Sequence, residues 1–304
     1  MLRCTSTQAG DAKFDFLADT DGFAEVFPED KYIVVQRLQA AGHVTGMTGD
    51  GVNDAPALRQ AEVGIAVSSA TDVAKGAASV VLTEPGLTSI VALVEQGRTI
   101  YQRILTWIIN KISRTVSKTA FVAIVFIFTG KFVVSAFAML LLTFMTDFAK
   151  ISLATDHVQP SKKPETWKIG GFVTVAVVLG IAMVMEYLLL LRIGWFRFGL
   201  ATNDNALHTF SFLMLLYFSV FSVVSARERR AFWSTMPSKT LMIALAAEAL
   251  TGTLLTRLSL PGLVPLPWSQ MLTVFVFALV SCLLVNDAVK VAMVKWRVPA
   301  AAGN

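Results

Sequence analysis

Thr48-Gly49-Asp50-Gly51-Val52-Asn53-Asp54-Ala55-Pro56-Ala57-Leu58 is the stretch on which the reading of this chain turns. His43-Val44-Thr45-Gly46-Met47 leads into it as a short strand, and a helix opens near Pro56, a residue suited to a first helical turn. Between them lies a glycine-rich turn carrying two carboxylates. Asp50 and Asp54 are oxygen ligands of the kind that hold a hard cation such as Mg²⁺. Gly49 and Gly51 let the backbone come close to a phosphoryl group. An isolated Asp-Gly pair is ordinarily just a turn, but a run of this length and composition is hard to reach by coincidence.

Working outward, residues 63–67 read as a strand, 72–78 as a small helix and 79–83 as another strand. This alternation predicts a parallel α/β sheet with its site at the strand ends. Upstream, Phe27-Pro28-Glu29-Asp30-Lys31 opens a helix that runs to about Ala40, with proline and acidic residues in its first turn. Lys31 is placed to reach a phosphoryl oxygen across the sheet, although a lysine there would by itself be an ordinary surface residue.

The character of the chain changes near residue 100. Of its 304 residues 55% are hydrophobic and 15% charged, less charge than a soluble domain carries. Most of the apolar excess lies beyond residue 104. We therefore divide the chain into a soluble α/β segment, 1–100, and a membrane segment, 101–304. Six runs approach the ~20 apolar residues that a span requires: 104–129, 133–154, 172–191, 209–226, 239–257 and 268–289. The net charge of +5 does not point to nucleic acid, because the basic residues cluster beside apolar runs. Lys162, Lys163 and Lys168 follow the second run, Arg227, Arg229, Arg230 and Lys239 the fourth, and Lys290, Lys295 and Arg297 the sixth. The other loops hold fewer: Lys131, then Arg192 and Arg197, then Arg257. The positive-inside rule then places both termini in the cytoplasm. Cys4 and Cys282 fall in different segments, so no disulfide is expected.

Polar side chains inside spans are costly and mark function. They concentrate in the first two runs: Asn110, Lys111, Arg114, Ser117 and Lys118, then Asp147 with Lys150 three residues on. Lys111, Arg114 and Lys118 share one helical face. Asp147 reads as a cation-binding carboxylate facing those groups; a structural ion pair joining two helices is the alternative. Glu186 and Glu248 each stand alone in an apolar run.

The run from Thr48 to Leu58 resembles the hinge motif of P-type ATPases, members of the haloacid dehalogenase superfamily. Residues 63–67 and 72–82 continue the likeness. Asp21-Gly22-Phe23-Ala24-Glu25-Val26-Phe27-Pro28-Glu29-Asp30-Lys31 and Val81-Leu82-Thr83-Glu84-Pro85-Gly86-Leu87 resemble the plasma-membrane proton-pumping subgroup in particular. The resemblance runs from about Asp15 to the C-terminus, while residues 1–13 match nothing recognisable. It implies a partial Rossmann-like phosphorylation domain followed by an all-α bundle of six helices, equivalent to helices five to ten. Carried over, it implies that Asp50 coordinates Mg²⁺ with Asp54 and Asn53 in support. Lys31 would contact the phosphoryl group, and Thr48, Gly49 and Gly51 would shape the phosphate loop. Asp147 would carry or gate the ion, with Lys118 and Arg114 beside it. Mg²⁺ is the implied cofactor, ATP the substrate of the complete pump, and the lipid bilayer and a transported cation, foremost H⁺, the partners. The expected location is the plasma membrane.

The departures are equally specific. No Asp-Lys-Thr-Gly-Thr run occurs in these residues, nor the actuator's Thr-Gly-Glu, a nucleotide-binding domain or the first four helices. Where proton pumps tend to carry an arginine in helix five, Ser117 stands, with Lys118 adjacent and Arg114 one turn earlier. Without a nucleophile the residues in hand cannot run the cycle alone, so an N-terminal pump fragment is an expected partner and no free-standing phosphatase activity is expected. A pump for Mg²⁺ or another cation, and a non-catalytic pseudo-pump with a binding or regulatory role, are the alternatives.

Overall fold

A computed structural model describes residues 2–3, 23–24, 26–158, 169–258 and 260–298. Cys4, Asp21, Gly22, Glu25, Lys162, Lys163 and Lys168, named above, lie outside the described residues. The chain divides into two compact units, Met1–Val94 and Glu95–Asn304.

In the first unit β1 (Leu2–Arg3) pairs in parallel with β2 (Phe23–Ala24). Then come α1 (Pro28–Ala40), β3 (Gly46–Gly49), α2 (Ala55–Gln60), β4 (Val63–Ala66), α3 (Asp72–Ala77) and β5 (Val80–Val81). β3, β4 and β5 form a parallel sheet in that order, with Gly46 opposite Val63 and Ile65 opposite Val80. This three-stranded sheet is the part of the expected α/β architecture found among the described residues. Local chemistry sets its helix starts. Pro28 occupies the first turn of α1, and the Asp30 carboxylate accepts the Phe27 N–H at 2.9 Å. The Thr71 hydroxyl caps α3 by accepting the Ala74 N–H. α2 lies against β4 so closely that a Cβ on Gly64 would meet the Leu58 carbonyl oxygen at 2.3 Å.

The second unit is helical. Its helices are α4 (Thr88–Thr129), α5 (Ala136–Ile151), α6 (Ile169–Phe198), α7 (Asp204–Ala226), α8 (Lys239–Leu255), α9 (Trp268–Val280) and α10 (Asp287–Arg297). A 3₁₀ turn, Ser152–Thr155, extends α5, and a π-helical turn, Ser281–Asn286, joins α9 to α10. Among the described residues five stretches are long and apolar enough to cross a membrane: α4, α5 with its turn, α6, α7, and α9 through α10. The expected count of six is met only in part, because α8 has 17 residues. At 1.5 Å per residue that gives ~25 Å, short of a ~30 Å hydrocarbon core. α7 is the central post. Phe210, Phe212, Leu213 and Phe218 on it are fully buried, as befits a helix apolar all round.

Two basic residues read above as loop charges are buried instead. Arg227 is 3% exposed and Lys290 1%. Arg227 Nε reaches the Asp156 carboxylate at 3.2 Å, and its other nitrogens reach the carbonyl and hydroxyl of Thr235. Asp156 also accepts the Ser238 N–H at 2.9 Å, while its carbonyl takes Arg103. Lys290 pairs with Asp287 at 2.6 Å and donates to the Ser225 carbonyl at 2.6 Å. Charges satisfied this completely can be buried.

Candidate functional site

In the first unit the site is assembled at the C-terminal end of β3. Lys31 projects from the first turn of α1, and its Nζ lies 2.6 Å from Asp54 Oδ1. Asp54 closes the 3₁₀ turn Val52–Asp54. Its Oδ2 accepts the N–H groups of Asp50 at 3.1 Å and Gly51 at 3.3 Å. Burial alone would raise the Asp54 carboxyl's pKa, but the Lys31 ammonium and the two amides outweigh it and hold it below the ordinary value. The carboxylate passes so close to β3 that a Cβ on Gly49 would lie 2.5 Å from Asp54 Cβ, so glycine is required there.

Asp50 differs. Its carbonyl is fixed by the Thr71 N–H at 2.9 Å. Its carboxylate is on the surface and has no hydrogen-bond partner among the described residues. Thr48 and Asn53 are exposed nearby. The geometry thus joins Lys31, Gly49, Gly51 and Asp54 into one clamp and leaves the Asp50 carboxylate open. The described residues contain no cluster of three metal-ligating side chains. Mg²⁺ does not need one, since it is usually bound by one or two carboxylates, waters and phosphate oxygens. The donor set at Asp50 fits that ion.

Sequence reasoning missed Glu62. Its carboxylate accepts the Thr45 hydroxyl at 2.7 Å, Gln39 Nε2 at 2.8 Å and the Thr45 N–H at 2.8 Å. These bonds pull its pKa down to about 2 and tie the end of α1 to the approach to β3.

In the second unit a cavity of about 60 Å³ lies among α4, α5, α6 and α7. Lys111, Arg114, Thr115 and Lys118 line it from α4, with Thr143, Thr146, Asp147 and Lys150 from α5. Asp147, Arg114 and Lys118 therefore line one cavity. The direct partner of Asp147 is Lys150 on its own helix, at 2.6 Å. Arg114 donates instead to the Ser219 hydroxyl on α7, a partner with no sequence signal. Ser117 is fully buried and gives its hydroxyl to the Arg114 carbonyl, away from the cavity lining. Lys111 and Lys118 have no salt bridge among the described residues. Glu248 is 7% exposed with Oε1 unpartnered. Glu186 is not alone, since Asn286 donates to it at 2.8 Å.

Two family models match separate parts of the chain. Residues 131–292, over half of the chain, match the family described as cation transporting ATPase, C-terminus. Residues 5–62 match the haloacid dehalogenase-like hydrolases. That match reaches into residues 1–13, so the expectation that they resemble nothing is corrected. A protein of Methanocaldococcus jannaschii, provisionally named a cation-transporting ATPase, is 35% identical over 285 residues. The alignment covers 93% of this chain and 35% of that relative, so the chain spans about a third of its length.

Proposed function

The chain belongs to the cation-transporting ATPases, whose C-terminal region it carries, and on that premise we propose that it is the ion-translocating part of an ATP-driven proton pump. The observation that carries the choice of ion is the lining of the α4–α5 cavity. One carboxylate, Asp147, faces it in the company of Lys111, Arg114, Lys118 and Lys150. Four cationic side chains around one carboxylate repel a divalent metal ion, whose two charges double every unfavourable interaction. A proton taken up there by Asp147 adds one positive charge to the cavity rather than two.

The first unit supplies the phosphoryl chemistry in this reading. In it, residues 1–100 are the C-terminal part of a Rossmann-like phosphorylation domain and residues 101–304 the membrane domain. Asp54 holds Lys31 in place, and Lys31 neutralises charge on a phosphoryl group. Asp50 holds Mg²⁺, which when bound would withdraw charge from the same oxygens. Gly49 and Gly51 keep the loop low enough for a phosphoryl group to approach, with Thr48 and Asn53 at its rim. The nucleophilic aspartate and the ATP site come from sequence outside these residues. α8, lengthened by the turn after Leu255, serves as the sixth span, with both termini on the cytoplasmic side of the plasma membrane.

The test is transport by the complete pump in sealed vesicles given ATP and Mg²⁺, with internal pH and a divalent-cation tracer followed together. ATP-driven acidification without tracer uptake is the expected result. Tracer uptake without acidification would replace the proton by a metal ion.

A further inference from the structure

Glu186 lies mid-span on α6, and Asn286 ends the π-helical turn between α9 and α10. Asn286 Nδ2 donates to Glu186 Oε2 at 2.8 Å. The remaining oxygens, Glu186 Oε1 and Asn286 Oδ1, are both sealed from solvent, and neither has a hydrogen-bond partner. Asn286 itself is 4% exposed. Two orphaned acceptors on one pair of side chains amount to a missing donor, since buried polar groups in proteins are ordinarily paired. A single hydrogen supplies it. A protonated Glu186 carboxyl has an O–H that donates, and Asn286 Oδ1 can accept it. We propose that Glu186 and Asn286 form a buried one-proton site, separate from the Asp147 cavity and independent of which ion the pump moves.

The surroundings leave this pair without any other source of charge balance. On α6 the neighbouring titratable group is Tyr187. Cys282, one turn before Asn286, accepts a hydrogen bond from the Asn286 side chain and gives its own thiol hydrogen to the Phe218 carbonyl on α7 at 3.8 Å, so it leaves Asn286 Oδ1 without a donor. On α10, Asp287 and Lys290 satisfy each other at 2.6 Å, with the Phe232 N–H and the Ser225 carbonyl completing their bonds. Arg114, on α4, gives its guanidinium to Ser219. No cation among the described residues forms a salt bridge with Glu186, so an ionised carboxylate there would sit in the membrane interior with one neutral donor. That is an expensive state, and binding a proton removes it. The π turn belongs to the same argument. Such turns are rare and recur at functional positions, and this one ends on the residue that meets Glu186.

The test is infrared spectroscopy of the protein in lipid nanodiscs at neutral pH, comparing wild type with Glu186→Gln. Glutamine keeps the shape and carries a permanent amide donor, so the variant folds. The wild type should show the carbonyl stretch of a protonated carboxyl group, shifted by exchange into D2O and lost in Glu186→Gln. In Asn286→Ala the band should move to the position of a carboxyl group with no acceptor. An empty wild-type-minus-Gln spectrum in that region would mean an ionised Glu186 and overturn the proposal, as would a band unmoved in Asn286→Ala. Disappearance of the band on replacing choline by Na⁺ at constant pH would also overturn it, making the site one for a metal cation.

Discussion

Asp147 and Asp156 lie nine positions apart on one continuous stretch, α5 and the turns that follow it, yet they do opposite things. Asp156 is 2% exposed. It is met by Arg227, the Ser238 N–H and, through its carbonyl, Arg103, so three separate segments converge on it. Asp147 has a side chain 54% exposed, one partner three residues away, and a cavity beside it. A buried carboxylate with both oxygens engaged by groups distant in sequence is a clasp. One with a single local partner and an open side can change partners, which is what carrying an ion requires. The same division recurs in the first unit, where Asp54 is fully engaged and Asp50 is open.

The contrast can be broken most directly by Asp156→Ala. Removing one member of a buried pair leaves Arg227 uncompensated and should cost about 3–5 kcal/mol of stability. Asp147→Ala should cost less, since its single partner lies three residues away on its own helix and no distant segment is tied to it. Thermal or denaturant unfolding in detergent checks both, and equal losses would erase the distinction. Gly49→Ala comes next. The added methyl collides with the engaged Asp54 and should cost about 1–3 kcal/mol by overpacking, whereas Asp50→Ala at the open position should leave the melting temperature nearly unchanged.

Smaller effects concern pH. The folded Asp54 carboxyl lies below its ordinary value of 3.8. Its contribution is thus fully present above the unfolded value and disappears as pH falls through the folded one. Asp54→Asn should remove part of the acid-induced loss of stability. Glu62, shifted to about 2, has the same sign, with its contribution lost as pH falls from the ordinary carboxylate range toward 2. In Glu62→Gln the acid limb should become shallower still less, and an unchanged limb would separate Glu62 from the fold.

What was legible in the sequence follows from the range of each interaction. The hinge loop could be read because its glycines and aspartates act within seven residues, and its strand–helix alternation is local. The Lys31–Asp54 pair spans 23 residues and could only be surmised. The apolar scan began the first span at residue 104, whereas α4 begins at Thr88. Its first four turns are polar enough to escape a hydropathy reading, although nothing in them stops a helix. Arg227 and Lys290 carry the same letters as loop cations, and only their tertiary partners reveal that they are buried. Glu186 looked solitary because Asn286 lies 100 residues further on.

The central claim is that the open carboxylate Asp147 handles the transported proton. The decisive measurement is ATP-driven acidification of vesicles containing the complete pump with Asp147→Asn, at a protein level and melting temperature matched to wild type. The account predicts that acidification is lost while the chain remains folded in the membrane. Acidification at the wild-type rate in Asp147→Asn would contradict it.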